Sequence, residues 1–258
     1  MRIDKLLYNY LLNVISAIGN VISAISHLGN TKTINSRGLR FKISCNNWIT
    51  KYRARTFNDK EPEMLDWMDE NLMDEDVFFD VGANVGIYSV YAALRNSKIS
   101  VYSFEPEYSN LNQLKQNILN NNLEERILPY SIALGSNTGI SYLHIQDLTS
   151  GAALHTVSND SLTNTRTGRE VVWKEGIASY TIDEFCDVTG IKPNLIKIDV
   201  DGNETDILRG GKNTFSDSRL RTIYIEVDSM QNNCEIFLYD YGFILVKKHS
   251  ENQIWIRK

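Results

Sequence analysis

The stretch VFFDVGANVGIYSVYAAL, Val77 to Leu94, decides how the rest of the chain is read. VFFDV is a short apolar run of the kind a buried strand requires, and NVGIYSVYAALR after it has apolar residues at helical spacing. Between them GANVG makes a tight strand-to-helix turn, in which Gly82 and Gly86 lack the Cβ that would obstruct a close approach to the backbone. In a doubly wound sheet, ligands bind beyond the carboxyl ends of the strands, beside such a turn. The dinucleotide fingerprint GxGxxG is absent, because Asn84 stands where the second glycine belongs. Asp80 precedes the turn, where a carboxylate would repel a pyrophosphate and suit a cation such as the ammonium of a bound amino-acid moiety. Any tight turn of this kind needs glycine, so the turn by itself leaves the ligand open.

Outward from this stretch, EPEMLDWMDENL reads as a short helix with Pro62 in its first turn. SVYSFEP and RILPYSIAL read as strands, with SNLNQLKQNILNNN as the helix between them. GISYLHIQ and VVWKEGIASY read as strands flanking a polar loop from Asp147 to Arg169. TIDEFCDVTG is helical, LIKIDV a strand, ETDILRGGKNTF a helix and RTIYIEV a strand. CEIFLYDYG is a helix, and FILVKK and NQIWIRK close the chain as strands. This alternation means a mostly parallel sheet with helices on both faces. The last two strands are too close in sequence for a parallel crossover, so they pair antiparallel. The expected fold class is α/β, a Rossmann-like sheet with an antiparallel terminal hairpin. The expected organisation is an N-terminal helical extension over 1–30, a linker and acceptor-side segment over 31–60, and the catalytic domain over 61–258.

The composition, 258 residues with 42% hydrophobic and 23% charged, is ordinarily globular and supports one large core with appendages. A net charge of −5 offers no basic surface for a nucleic-acid backbone, although KYRAR, Lys51 to Arg55, is locally basic. Cys45, Cys186 and Cys234 are widely spaced and suggest neither a disulfide framework nor a zinc knuckle, which fits a reducing cytoplasm. The four histidines show no HxH or HExxH spacing, against a zinc enzyme. No charged residue occurs from Leu6 to His27, where Asn9, Asn13, Ser16, Asn20, Ser23 and His27 form one narrow polar stripe on an otherwise apolar helix. The recurring Asn and Ser argue against an uninterrupted bilayer span, and no compact apolar block ends in a cleavage site. Residues 6–28 suit packing on the protein's own core, contact with another subunit, or attachment to a membrane surface.

Glu105 ends the second strand, where an acidic residue accepts hydrogen bonds from both hydroxyls of a ribose. A nucleoside with a cationic amino-acid tail is S-adenosylmethionine, whose sulfonium makes methyl transfer an in-line displacement. DVGANVG, FEPE, SIALG, TIDEF and above all LIKIDVDGNETDILRGG resemble the FkbM-type methyltransferases, collinearly from about Glu61 to Val227. Where the family shows KIDVEGxE, this chain has KIDVDGNE, with Asp201 in place of the usual Glu. The resemblance implies a seven-stranded class I methyltransferase sheet, S-adenosylmethionine as donor, and O-methylation of a hydroxyl on a carbohydrate or a polyketide-type natural product. It places Asp80, Gly82, Asn84 and Gly86 at the methionine end, Glu105 on the ribose, and Ser131 to Ala133 beside the adenine. It also places Asp199 facing the methyl group and Glu61 near the cofactor's amino group.

An alcohol oxygen is a poor nucleophile near neutrality, so a base or a metal ion would assist. Asp199, Asp201 and Glu204 cluster after a strand; Asp201 is the first candidate base. The cluster would alternatively bind a divalent metal, or Asp201 or Asn203 would cap the next helix while Glu204 favours its dipole. His155, in the loop SGAALHT, competes as base, and Tyr52, Arg53 and Arg55 are candidates for part of an acceptor lid or for binding an acidic acceptor. A nicotinamide-dependent oxidoreductase and a non-catalytic scaffold are the competing readings. The absent fingerprint opposes the first, and intact Asp80, Glu105 and Asp199 oppose the second.

Overall fold

The apolar runs become the interior strands of one seven-stranded sheet in the computed structural model, which describes residues 9–19, 30–158, 170–227 and 233–258. The described residues begin with helix α1 over 9–19, whose apolar side chains, Tyr10, Ile15 and Ile18 among them, are exposed. The remainder of the uncharged segment lies outside the described residues. Among the described residues, no helix is long and apolar enough to cross a membrane.

The segment over 31–60, expected as a linker and acceptor-side segment, opens instead with a β-hairpin of β1 (Thr31–Ser36) and β2 (Leu39–Ser44). Its inward residues Ile34, Phe41 and Ile43 are buried with Phe57 of α2 (Trp48–Lys60) in the main core. Residues 31–60 are therefore packed structure, because alternate hairpin side chains enter the core. Asn47 caps α2 through a reciprocal box with Thr50, and Pro62 opens α3 (Pro62–Asn71) as expected.

The sheet proper uses β3 (Val77–Val81), β4 (Ser100–Phe104) and β5 (Ile127–Tyr130), separated by α4 (Ile87–Arg95) and α5 (Tyr108–Leu119). The sequence RILPYSIAL does not stay one strand. Pro129 lacks an N–H, and β5 sits at the sheet edge; the chain then leaves to form β6 (Ala133–Leu134) in a separate four-stranded sheet. That second sheet also holds β7 (Gly139–Ile145), β8 (Thr156–Ser158) and β9 (Trp173–Tyr180). After α6 (Ile182–Thr189), β10 (Leu195–Ile198) returns to the large sheet. The helix expected over ETDILRGGKNTF is two short ones, α7 (Glu204–Arg209) and α8 (Lys212–Ser216), divided at the Gly210–Gly211 pair. β11 (Thr222–Glu226), α9 (Cys234–Asp240), β12 (Phe243–His249) and β13 (Asn252–Arg257) complete the chain, the last two strands antiparallel as expected.

The strand order is β12-β13-β11-β10-β3-β4-β5. From β3 the chain winds outward through β4 and β5, then crosses back to β10 on the other side. The carboxyl ends of β3 and β10 thus flank a switch point, where two successive loops diverge and leave a crevice. Apolar residues cover both sheet faces: Phe78, Val90 and Leu114 lie in one buried cluster, and Phe79, Phe104 and Phe185 in the other.

Candidate active site

A cleft of about 590 Å³, solvent at its mouth included, opens at this switch point. It is walled by Gly82 and Asn84 after β3, Glu105 and Glu107 after β4, Ala133 after β5, and Asp199 and Asp201 after β10.

The glycine turn is shaped by the protein's own packing. Gly82 has φ +75°, and a Cβ there would stand 1.9 Å from the carbonyl oxygen of Asp199. A Cβ on Gly86, at φ +72°, would meet Leu114 at 2.6 Å. Gly82 therefore serves a close loop contact while also lining the cleft, and Gly86 serves a helix contact outside it. Asn84 replaces a glycine because its φ of +51° lies in the left-handed region that Asn tolerates. Its side chain then binds the Ala152 carbonyl at 2.7 Å.

Asp80 does not line the cleft. It is wholly buried, and the parallel register sets Lys197 directly opposite it. Lys197 Nζ lies 3.1 Å from Asp80 Oδ1 and 3.5 Å from Asp199 Oδ2, and donates to the Gly82 carbonyl at 2.9 Å. Burial opposes the charge on Lys197, but Asp80 and Asp199 outweigh it and hold its pKa above the ordinary value. The ammonium that Asp80 was expected to meet is thus the protein's own. Asp80 and Lys197 support the turn from beneath.

Glu105 faces the cleft and is 5% exposed. Its two oxygens accept the amide hydrogens of Asn84 (2.7 Å) and Glu107 (2.9 Å), leaving further lone pairs for a ligand. Burial pushes its carboxyl up to about 7. Over the cleft runs a strap, residues 150–155, pinned from several elements. Asn47 donates to the Ser150 carbonyl (2.8 Å), Arg53 Nε to the Gly151 carbonyl (2.8 Å), and the Leu154 amide to Asp201 Oδ2 (2.6 Å). His155, at the end of the strap, lines the cleft with both ring nitrogens buried and unpartnered. Burial lowers its pKa, and the acids that act on it are Glu107 and Asp147. Burial therefore favours its neutral imidazole form. Asn203 Oδ1 is likewise buried without a partner in the cleft wall. Three such orphaned atoms beside apolar Phe104, Ile132, Leu134 and Leu143 fit a ligand with a flat, hydrogen-bonding, partly apolar body.

The opposite end is acidic. Asp199, Asp201 and Glu226 offer oxygen atoms within 4.8 Å of one another, a spacing that could hold a divalent cation. A shared proton relieves the same crowding. The negative charge of Asp199 and burial push Glu226 up to about 9, so it donates its proton to Asp199. Burial opposes ionisation of Asp199, but Lys197, the hydrogen bond from Glu226, Lys60 and Arg53 hold it below the usual range. Burial, then Asp199, pushes Asp201 up to about 6. Glu204 Oε1 accepts the amides of Val200 (3.3 Å) and Gly202 (3.0 Å), so it braces the loop before α7, and Asn203 makes no side-chain cap there, contrary to the expected capping.

These shifts have a consequence for stability. Glu105 and Glu226 carry folded-state pKa values near 7 and 9, above their unfolded ones, so the native state binds more protons between pH 6.5 and 8.5. Stability should fall as pH rises through that window, by on the order of 2 kcal/mol. Calorimetric melting of the ligand-free protein at the two pH values checks it; an unchanged or higher melting temperature at pH 8.5 would show these carboxyls ionised in the ordinary way.

The structure brings Gly82, Asn84, Glu105, Ala133, His155, Asp199 and Asp201 together around one cleft. Gly86 packs on Leu114, Ser131 is exposed outside the wall, and Ile132 lines it instead. Glu61 is buried beside the cleft but is bonded by Lys60 and the Tyr88 hydroxyl. Sequence reasoning missed Glu226 and Lys197. A carboxylate at the end of RTIYIEV and a lone cation inside LIKIDV were the available signals.

The sequence pattern described as the methyltransferase FkbM domain matches residues 80–245. The hexuronic acid methyltransferase AglP of Haloferax volcanii is 27% identical over 156 residues, 60% of this chain and 58% of that protein. The chain thus aligns with under two thirds of that relative. Among solved structures, an S-adenosylmethionine-dependent methyltransferase from Agrobacterium tumefaciens superposes with a TM-score of 0.48 at 8% identity, covering 88% of this chain and 69% of that one. The ribosomal protein L11 methylase from Lactobacillus delbrueckii subsp. bulgaricus gives 0.47 at 13%, covering 78% and 81%. With its cleft on a sheet of order β12-β13-β11-β10-β3-β4-β5 and the domain pattern matching well over half its length, the chain belongs to the FkbM methyltransferase domain family.

Proposed function

We propose that this chain transfers a methyl group from S-adenosylmethionine to an oxygen of a saccharide. The observation that carries the reading is the cleft itself, which has a buried Glu105 for ribose hydroxyls, orphaned polar atoms on His155 and Asn203, and carboxylates at the far end. Four acids, Glu105, Glu107, Asp199 and Asp201, line it, which suits a cationic ligand and opposes a pyrophosphate. When bound, the sulfonium supplies an activated methyl group and a neutral thioether leaving group. Glu105 holds the ribose end, and the strap excludes water over it. Asp201 accepts the acceptor's proton as its oxygen takes the methyl. Its raised pKa makes it a stronger base than Asp199, and its Oδ1 is not used by the strap. Asp199, kept anionic, stabilises positive charge beside it. A saccharide acceptor is supported by the substrate named for the Haloferax relative. The exposed apolar helix α1 supports a contact of the chain with a membrane surface or a second subunit.

Calorimetric titration with S-adenosylmethionine and, separately, NAD tests the reading. The first should bind and the second should not. Glu105→Ala should weaken the first about 10- to 100-fold, the worth of hydrogen bonds to a charged group. Folded protein that binds NAD, or neither ligand, would overturn the reading.

A further inference from the structure

Helix α2 carries Lys51, Arg53, Arg55 and Lys60 against the single acid Asp59, in a chain whose net charge is −5. Ile49, Arg53, Thr56 and Lys60 fall at helical spacing on one stripe. That stripe faces the strap and the acidic end of the cleft. Ile49 abuts Gly151, Arg53 Nε donates to the Gly151 carbonyl at 2.8 Å, and the charges of Arg53 and Lys60 both act on Asp199.

The two cations differ. Lys60 is ion-paired with Glu61. Arg53 makes no ion pair among the described residues; its Nε is committed to a backbone carbonyl, and its terminal amino groups have no protein partner there. A cation needed only to neutralise Asp199 or Asp201 would be expected to pair with one of them. Arg53 is instead half-buried and held by Nε, so its planar end is oriented before any ligand arrives. An anionic acceptor brought to two carboxylates would be repelled unless the rim supplied such a charge.

We infer that Arg53 determines acceptor specificity: its terminal amino groups bind the carboxylate of a uronic-acid unit and orient the acceptor toward Asp199 and Asp201. The inference rests on the methyltransferase reading. A guanidinium also matches a carboxylate with two parallel donors, which a lysine cannot do.

The test uses the full chain loaded with S-adenosylhomocysteine, titrated with p-nitrophenyl β-D-glucuronide and with p-nitrophenyl β-D-glucoside by ligand-observed NMR. The glucuronide should bind about tenfold or more tightly, the scale of a charge-assisted hydrogen bond. Arg53→Gln should cost the glucuronide at least tenfold more than the glucoside or S-adenosylhomocysteine, whose binding registers only the lost strap contact, and Arg53→Lys should restore the preference only in part. Equal binding of the two glycosides by the unaltered chain, or an equal loss of both in Arg53→Gln and Arg53→Lys, would overturn the inference and leave Arg53 an anchor of the strap. Failure of folded protein to bind S-adenosylhomocysteine would instead remove the methyltransferase reading, and the inference with it.

Discussion

Lys197→Met should destabilise the protein by about 3–5 kcal/mol, the range for removing one partner of a buried ion pair. Lys197 is 2% exposed, and Asp80 is fully buried directly opposite it in the parallel ladder. Methionine keeps most of the apolar stem, so the loss would report the charge and its hydrogen bond to the Gly82 carbonyl rather than a cavity. Asp80 would keep only the hydroxyl of Ser89, and Asp199 would lose its nearest cation. Asp199, which Lys197 helps hold below the usual range, would then titrate higher, and the loss should shrink toward acid pH as it takes up a proton. Lys197→Met combined with Asp80→Asn should recover part of the stability, since Asp80, the more buried of the two carboxyls that Lys197 serves, then carries no charge. Urea unfolding followed by tryptophan fluorescence measures the parent and both variants. A single-variant loss under about 1 kcal/mol would mean that the pair is no stronger than an exposed one.

The same residues mark where the sequence was legible. VFFDV, LIKI and TIYIE are continuous apolar runs, and such runs serve strands covered on both faces; they form the three adjacent central strands β3, β10 and β11. The brevity of the link before NQIWIRK settled the antiparallel hairpin. The direction of Asp80 was not legible in the same way. Its partner lies more than a hundred residues onward, and only the register of β3 against β10 places Lys197 across from it. Taken locally, a carboxylate before a glycine turn suits a ligand as well as it suits a buried lysine. The hairpin β1–β2 was missed for a different reason. TKTINS and LRFKIS alternate in the way a half-buried strand requires, but only two inward residues in each are buried strongly, and Gly38 between them suits a linker as well as a hairpin turn. Glu226 depends on the sheet order: it becomes a neighbour of Asp199 because β11 pairs with β10. Carboxyl ends of adjacent parallel strands converge on the crevice, so acids there are candidates once strand order is known.

Asp201→Asn should separate catalysis from stability in opposite directions. Asp201 has φ +53°, a region asparagine adopts more readily than most residues, and an amide oxygen can still accept the Leu154 N–H now bound at 2.6 Å. The strap and cleft should therefore persist. What disappears is a carboxylate that burial and Asp199 have pushed up to about 6. Because that folded-state pKa lies above the unfolded one, the ionised group works against folding once pH rises past about 4 and fully so above 6. The variant should thus be more stable than the parent at pH 8, by about 1–2 kcal/mol, and equal to it at pH 4. Turnover should fall about 100- to 10,000-fold, the usual worth of a general base, and any rise in rate with pH near 6 should vanish. Affinity for S-adenosylmethionine should change only a few-fold, since Glu105 and the turn are untouched. A variant that gains stability and loses turnover shows that the raised pKa is held at the expense of the fold and used in the reaction. If turnover persists in Asp201→Asn and collapses in Asp199→Asn, the proton passes to Asp199, and Asp201 serves only to anchor the strap.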